Sequence, residues 1–247
     1  VLKSLTKYAE RIDNADNAAS ILKNAFSKVR SGRPRPVGVE VPVNMWNSKV
    51  DNINDDLIGQ PEDQPCVDTD KLEKALSVLN QSSNPIIVIG GGAQDYGNEI
   101  KQISDGLSAP VVIFRNGQGV IDGSSDLSVT LPAGRELWGK CDVVLALGTR
   151  CQTAQMQWGV DDKMQIIHVD IDEEEIGRIT EPSFGINADL KDVLPLLLKG
   201  IEGKEKNRND WLEVVKNTKH KYAKLFEEKL SPQLAWLNAI RAELPKD

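Results

Sequence analysis

Three consecutive glycines, Gly90, Gly91 and Gly92, follow the apolar run PIIVI. Glycine lets the backbone come close to a ligand, and the N-terminus of a helix behind such a loop favours a phosphate group. The segment GGGAQDYG does not have the spaced GxGxxG pattern of dinucleotide sites, and a plain tight turn explains it equally well. We therefore treat these glycines as candidate cofactor-binding residues with two interpretations.

A second candidate segment, Gly148, Thr149 and Arg150, follows the apolar run CDVVLAL. A hydroxyl and a guanidinium group at the end of a strand suit a phosphate group or an adenine ring. The alternative is a turn whose arginine forms a surface salt bridge, and the residues alone leave both interpretations open.

A third apolar run, QIIHVDI, ends in acidic residues. A carboxylate at a strand end accepts hydrogen bonds from ribose hydroxyls in dinucleotide sites, which makes Asp170 and the adjacent Ile171 candidate binding residues. Asp172 is better suited to cap the next helical turn, whose acidic residues the helix dipole favours. His168 alternates with apolar residues, and we predict that it is a packed core residue.

Residue sets typical of catalysis or metal binding are not evident. The chain has 2 histidines and 3 cysteines, and the cysteines form no CxxC pair. The acidic run at residues 170–175 lacks the glycine and the distal glutamate of a calcium loop. The sequence therefore predicts no catalytic residue and no metal site in this chain. Scattered cysteines also favour a cytoplasmic protein without disulfides.

The elements that must position these candidates alternate regularly. Apolar, β-branched runs predict strands at residues 85–89, 111–114, 141–147, 165–171 and 184–188. Helical periodicity predicts helices at about residues 68–80, 97–107 and 189–201. This order indicates an α/β fold, a doubly wound, Rossmann-like parallel sheet of about six strands with helices on both faces. Ligands of such sheets bind beyond the carboxyl ends of the strands, where the candidates lie.

The segments before and after the predicted sheet domain differ from it in sequence pattern. Residues 1–43 have the pattern of strand, helix and strand, which is too little to bury a core and indicates the edge of another domain. Residues 44–68 are rich in Asn, Asp, Gln and Pro and are predicted to be a linker. The sheet domain is placed at residues 69–203, and residues 204–247 are predicted to form amphipathic helices.

The net charge and the lengths of the apolar runs argue against nucleic acid and membranes as partners. The formal net charge of the 247 residues is −7, which disfavours binding to nucleic acid or to an anionic membrane. The longest apolar runs are far shorter than the roughly 20 residues that a membrane-spanning helix needs.

Several segments in order resemble thiamine diphosphate enzymes of the acetolactate synthase type. GRPRPVGVEVPVNMW resembles the end of the pyrimidine-binding domain of that family. PIIVIGGGA, NGQGVIDGSSDLSV, CDVVLALGTR and IIHVDIDEEEIGR are similar to successive strand ends of its middle domain. SPQLAWLNAIRAELP resembles the entry to its diphosphate-binding domain. Each segment is a weak signal, but the ordered set covers nearly the whole chain.

The resemblance implies that the chain is a fragment of a longer enzyme. Its parent would use thiamine diphosphate and magnesium to decarboxylate a 2-keto acid, then release an aldehyde or add the product to a second carbonyl compound. The Gly-Asp-Gly motif that begins the family's diphosphate and magnesium site does not occur in the 247 residues. We therefore expect this chain alone to be inactive, with the missing pyrimidine and diphosphate domains as its partners and with homo-oligomers of the parent.

The resemblance also raises the possibility of FAD or ADP in the middle domain. This chain has FRNG at residues 114–117 and RCQTA at residues 150–154, where flavin-binding members often have Thr-Leu-Met/Gln-Gly and Arg-Phe-Asp-Asp-Arg. These departures favour an empty or ADP-binding crevice over an FAD site. The alternative function is a non-catalytic nucleotide-binding or subunit-interaction module. The family's binding positions that this chain retains are Arg33, Gly90, Gly91, Gly92, Gly148, Arg150, Asp170 and Asp189.

Overall fold

The computed structural model describes residues 1–50, 65–203 and 206–244. The chain divides into two compact units, Val1–Cys66 and Val67–Asp247. Most of the predicted linker at 44–68 lies outside the described residues, because the description omits 51–64. The predicted helical segment at 204–247 is described from residue 206 to residue 244.

The first unit contains a short helix α1 (Leu2–Leu5), strand β1 (Tyr8–Arg11), helix α2 (Ala18–Arg30) and strand β2 (Val37–Glu40). The two strands pair in parallel, and the predicted order of strand, helix and strand is confirmed. The apolar side chains of Ile12, Ile21 and Ala25 are buried, whereas Phe26 and Trp46 are exposed. The prediction that this segment is the edge of another domain stays a prediction.

The second unit alternates helices and strands as predicted. Asp68 caps the helix that follows it, because its carboxylate accepts a hydrogen bond from the Lys71 N–H at 2.9 Å. The elements in chain order are α3 (Thr69–Gln81), β3 (Pro85–Ile89), α4 (Gly97–Leu107), β4 (Val111–Ile113), β5 (Ser128–Val129), α5 (Leu131–Trp138), β6 (Val143–Leu147), β7 (Gln165–Asp170), β8 (Phe184–Asn187), α6 (Leu190–Ile201), α7 (Asn209–Lys229) and α8 (Ser231–Glu243).

These strands form one six-stranded parallel sheet in the order β5-β4-β3-β6-β7-β8. The chain proceeds from β3 to β4 and β5 on one side, then returns to place β6, β7 and β8 on the other side. The strand order therefore reverses between β3 and β6, which makes this pair the topological switch point of the sheet. The predicted doubly wound fold of about six strands is confirmed.

Helices cover both faces of the sheet. On one face, the buried side chains of α3, α4 and α6 pack against Ile87 and Ile89 of β3 and against Leu145 of β6. On the other face, α5 and α7 cover Ile86 and Val144. Because both faces are covered, the central strands β3 and β6 are buried along their whole length, which explains their continuous apolar sequences.

Helix α7 is fixed to the amino edge of the sheet by two buried side chains. The Trp211 indole N–H donates to the Pro85 carbonyl at 3.0 Å. Just before the helix, the Arg208 guanidinium donates to the Ser82 carbonyl at 3.1 Å and to the Leu79 carbonyl at 3.3 Å. Arg208 thus donates to carbonyl groups at the C-terminal end of α3, where helical N–H partners run out.

The last helix, α8, exposes much of its apolar surface. Trp236 is 75% exposed and Ile240 is 53% exposed. None of the helices within the described residues has the length and the apolar content needed to cross a membrane.

The loops that follow β3 and β6 approach each other closely at the switch point. A Cβ added to Gly90 would lie 2.7 Å from the Gly148 carbonyl oxygen, and one added to Gly92 would lie 2.9 Å from the Gly148 Cα. Gly148 has a φ of +55°, a conformation that favours glycine. Close packing of main chain against main chain therefore requires glycine at these positions.

One histidine lies inside the sheet. His168 on β7 is 1% exposed, and its Nε2 lies 2.7 Å from the Thr149 carbonyl oxygen. Because a carbonyl oxygen only accepts, the Nε2 of the ring carries a proton and donates. Burial lowers the pKa of His168, since it disfavours the charged imidazolium. The prediction that His168 is a packed core residue is confirmed.

Replacement of Gly92 tests the packing at the switch point. We expect Gly92→Ala to lower the free energy of unfolding by about 1–3 kcal/mol, because the added methyl group forces the main chain at Gly148 to move. Urea unfolding followed by tryptophan fluorescence measures this loss. Gly139→Ala is the matched control, since a Cβ at Gly139 meets nothing within 4 Å. Equal free energies of unfolding for Gly92→Ala and Gly139→Ala would contradict the close approach of the loops after β3 and β6.

Titration of His168 tests its burial in the neutral form. Its folded-state pKa is below the unfolded value of about 6.5, so the unfolded chain binds more protons under that pH. Its contribution to stability is therefore complete above about pH 6.5 and falls as the pH decreases, by no more than about 1.4 kcal/mol per pH unit. Urea unfolding between pH 8 and pH 5 measures the slope. We expect His168→Gln to reduce the slope and His220→Gln, at an exposed position, to leave it unchanged.

Candidate nucleotide-binding edge

The structure gathers most of the predicted site residues at the carboxyl edge of the sheet. Gly90 follows the last residue of β3, Gly148 follows the last residue of β6, and Asp170 is the last residue of β7. The register pairs Ile89 with Leu147 and Leu147 with Val169, so the three strands end at the same level. We call this region the carboxyl edge.

Arg33 is the exception among the predicted residues. It belongs to the first compact unit, on the segment between α2 and β2. Its carbonyl oxygen accepts a hydrogen bond from the Lys7 ammonium group at 3.2 Å. The predicted contribution of Arg33 to the edge therefore stays a prediction.

Three main-chain N–H groups of the loop after β3 are bonded within the protein. Gly90 donates to the Leu147 carbonyl at 3.4 Å, Gly92 to the Gly148 carbonyl at 3.0 Å, and Ala93 to the Gly90 carbonyl at 3.2 Å. A phosphate-binding loop offers such groups to its ligand. These three donors bind carbonyl groups of the protein, so the glycines at 90 and 92 serve the packing of strand ends.

The loops after β3 and β4 also lie against each other. A Cβ added to Gly91 would lie 3.3 Å from the Asn116 Cβ, and one added to Gly117 would lie 3.1 Å from the Ile89 carbonyl oxygen. The Gln94 amide donates to the Asn116 carbonyl at 2.6 Å. The loop after β3 is therefore in close contact with its neighbours on both sides.

Arg150 extends from the edge and pairs with a buried carboxylate. Its Nε lies 3.4 Å from the Glu175 Oε1, and the Arg178 Nη1 lies 3.0 Å from the Glu175 Oε2. The side chain of Glu175 is 3% exposed, whereas those of Arg150 and Arg178 are 53% and 58% exposed. One carboxylate thus anchors two guanidinium groups that face solvent, and the three groups together are net cationic.

Thr149 and Asp170 are buried and engaged with nearby main chain. The Thr149 hydroxyl accepts the Cys151 N–H at 3.1 Å. The Asp170 Oδ1 accepts the Asp172 N–H at 2.9 Å, while Ile171 lies between them just beyond the strand.

Two acidic side chains cap helical turns, one of them a predicted site residue. Asp189 accepts the Lys191 N–H at 3.0 Å at the start of α6. Burial raises the pKa of Tyr96, and the charge of Asp189 adds to this, because the Tyr96 hydroxyl lies 3.4 Å from the Asp189 Oδ1. Asp172 accepts the Glu174 N–H at 3.3 Å, which confirms the predicted cap.

An aromatic group lies beside the edge. The rings of Phe114 and Trp158 stack with centroids 5.5 Å apart, and Trp138 meets Trp158 edge-on at 5.6 Å. Phe114 follows β4, and Trp158 ends a short π-helical turn, Ala154–Trp158, that follows β6. Since β4 and β6 flank β3, the stack connects segments on either side of that strand.

Sequence reasoning missed Glu175, Arg178 and Gln94. Glu175 was assigned only to the start of a helical turn, and no spacing rule predicts its pairing with Arg150. The partners of Arg178 and Gln94 lie on loops whose conformation the sequence pattern does not determine.

The side chains at the carboxyl edge are better suited to binding a ligand than to reacting with one. Burial raises the pKa of the Cys151 thiol to about 12, so the group stays protonated at neutral pH. Within the ranges that the structure describes, no cluster of three or more His, Cys, Asp or Glu side chains could hold a metal ion. The guanidinium groups of Arg150 and Arg178 are more than half exposed at the edge, and guanidinium groups suit an anionic ligand.

Known proteins similar to this chain are enzymes. A glyoxylate carboligase from Escherichia coli O157:H7 is 28% identical over 86% of this chain and 38% of its own length. The acetolactate synthase large subunit of Corynebacterium glutamicum is 26% identical over 94% and 39%. Acetolactate synthase 1 from Zea mays chloroplasts is 27% identical over 95% and 40%. The chain thus spans about two fifths of the length of these relatives.

A family comparison matches the second compact unit. Residues 72–197, just over half of the chain, match the central domain of the thiamine pyrophosphate enzymes. The matched range begins in α3 and ends in α6, so it contains the whole parallel sheet. The chain therefore belongs to the thiamine pyrophosphate enzyme family and contains its central domain.

Proposed function

We propose that this chain is the central part of an enzyme that uses thiamine diphosphate to decarboxylate a 2-keto acid. The enzyme then releases an aldehyde or joins the product to a second carbonyl compound. The match of residues 72–197 to the central domain of the family carries this proposal. The names of the relatives, a carboligase and acetolactate synthases, support the second outcome.

The proposed organisation follows the order of domains in the family. Residues 1–43 end the pyrimidine-binding domain, 44–68 form a linker, 69–203 are the central domain, and 204–247 lead into the diphosphate-binding domain. The boundary between the compact units at Cys66 and Val67 supports the separation of the first two parts from the third.

Thiamine diphosphate supplies the carbanion chemistry of such reactions and is held with magnesium. The residues of this chain do not fit that group. The sequence contains no Gly-Asp-Gly motif, and no metal-binding cluster was found in the portions of the chain that the structure describes. We assign to this chain a role in holding the neighbouring domains and no catalytic residue.

We place the parent enzyme in the cytoplasm as a homo-oligomer whose other domains belong to the same chain. The three free cysteines support a reducing compartment. The exposed apolar side chains of α8 and of the first unit support contacts with further domains or subunits.

We assign nucleotide binding to the carboxyl edge. Arg150 would pair with a diphosphate, Asp170 and Ile171 would contact a ribose, and Gly148 and Thr149 would line the site. Asp189 and Gly90, Gly91 and Gly92 are the remaining candidates, with Arg33 from the first unit. Gly90, Gly92 and Gly148 lie at the switch point, and this position supports an ADP moiety, because α/β sheets bind ligands there. FAD has less support, since residues 114–117 and 150–154 depart from the segments that flavin-binding members often have.

The longer protein encoded by this gene tests the enzyme assignment. With magnesium and thiamine diphosphate, we expect it to consume glyoxylate or to form acetolactate, because those activities belong to its relatives. Calorimetry of the 247-residue chain with the same cofactors should show no heat of binding. Saturable micromolar binding of thiamine diphosphate to this chain would contradict the proposal that other domains hold the cofactor. A longer protein that lacks both activities and a downstream Gly-Asp-Gly motif would contradict the enzyme assignment.

A further inference from the structure

Helices α7 and α8 are joined by a single residue, Leu230, which belongs to neither helix. Its φ is −124° and its ψ is +23°, whereas the residues of an α-helix have a φ of about −63° and a ψ of about −42°. The chain therefore leaves the helical path at Leu230, and α7 and α8 are two helices instead of one long one.

A proline explains why the two helices do not merge. In one continuous helix the N–H of residue 232 would donate to the Glu228 carbonyl, but Pro232 has no N–H and its ring would clash with that carbonyl. The main chain is helical again on either side of the joint. The Leu230 N–H donates to the Phe226 carbonyl at 2.7 Å, and the Leu234 N–H donates to the Leu230 carbonyl at 2.8 Å. The interruption is thus confined to a few residues.

Helix α7 is fixed to the sheet domain over its first half. Trp211 is 2% exposed and Val215 is 1% exposed, and both belong to the core on one face of the sheet. Farther along the helix, the Lys219 ammonium group donates to the Ser125 carbonyl at 2.6 Å and to the Asp126 carbonyl at 3.1 Å. Because these contacts include the core, α7 cannot change its direction without unpacking the domain.

Helix α8 lies on the surface and buries no side chain. All of its 13 residues are described, and none of them is buried. Trp236 is 75% exposed, Leu237 is 58% exposed and Ile240 is 53% exposed. Full burial of such a side chain contributes about 1.5–3 kcal/mol, and packing of this kind is what holds a helix against a domain. The core therefore fixes the direction of α7 and leaves the direction of α8 unfixed.

We infer that Leu230 and Pro232 form a hinge at which α8 turns as a rigid unit relative to α7 and the sheet domain. Hinges are a few residues at the ends of elements that absorb changes in φ and ψ, and these two residues occupy such a position. The motion leaves the core intact, because the buried side chains of α7 all precede the joint. A polypeptide that continues from α8 would turn with it. The inference concerns this chain alone and does not depend on the proposed reaction.

Distances between spin labels in the purified chain test the hinge. One pair of labelled cysteines, Lys224→Cys and Asn238→Cys, spans the joint, and a control pair, Glu213→Cys and Glu227→Cys, lies within α7. All four positions are exposed, and the two pairs are equally far apart in sequence. In a continuous helix each pair would span about 21 Å. Cys66→Ser removes the exposed native cysteine.

Pulsed electron paramagnetic resonance measures the two distance distributions. We expect the distribution across the joint to be at least about twice as wide as the one within α7, because a change at the hinge moves the whole of α8. Equal widths for the two pairs would overturn the inference.

Pro232→Ala tests the cause of the hinge. Alanine supplies an N–H that can donate to the Glu228 carbonyl, and it favours a continuous helix. We expect the distribution across the joint to narrow to the width of the control pair. Gln233→Ala, at an exposed position beside the proline, adds no N–H and should leave the wide distribution unchanged. A distribution for Pro232→Ala as wide as that of the wild type would overturn the inference.

Amide hydrogen exchange distinguishes a turning helix from an unfolded one. A helix that turns as a unit keeps its internal hydrogen bonds, so the Ile240 amide within α8 should exchange more slowly than the amide of Gly123 in an exposed loop. Equal exchange rates for these two amides would show that α8 unfolds, and would overturn the hinge.

Discussion

The close contact between the ends of β3 and β6 is the constraint on which the carboxyl edge depends. Gly90 and Gly92 lie against Gly148 and Thr149 at distances that exclude any side chain. This contact joins the two halves of the sheet where the strand order reverses, a position at which open α/β sheets usually leave a crevice. The same contact occupies main-chain donors, since the Gly90 N–H donates to the Leu147 carbonyl and the Gly92 N–H to the Gly148 carbonyl.

Charged side chains near β6 and β7 form one cluster. Glu175 is buried, and it holds the guanidinium groups of Arg150 and Arg178 at the surface. A buried carboxylate is costly without cationic partners, so the three groups depend on one another. The edge therefore has a cluster of Arg150, Glu175 and Arg178 near β6 and β7 and close contacts between loops near β3 and β4.

The sequence predicted the sheet well and the site only in part. Strands β3 and β6 are apolar along their whole length, so their position and burial follow directly from composition. The short helix α5 and the two-residue strand β5 were missed, because a proline lies near the start of α5 and β5 is too short for any periodicity. The sequence places glycines directly after the predicted strands, and the structure has them in the loops after β3 and β6. These positions require glycine because each loop contacts another loop. That contact depends on the tertiary fold and cannot be read from the local sequence.

Amide hydrogen exchange of Gly92 and Gly148 is the most direct measurement of this constraint. Both N–H groups donate to carbonyl oxygens at 3.0 Å, Gly92 to Gly148 and Gly148 to Val169. They should therefore exchange as slowly as the buried amides of β6, since opening requires separation of the strand ends. Exchange of these two amides at the rate of exposed loop amides such as that of Gly123 would show that the edge is open and would contradict its closure.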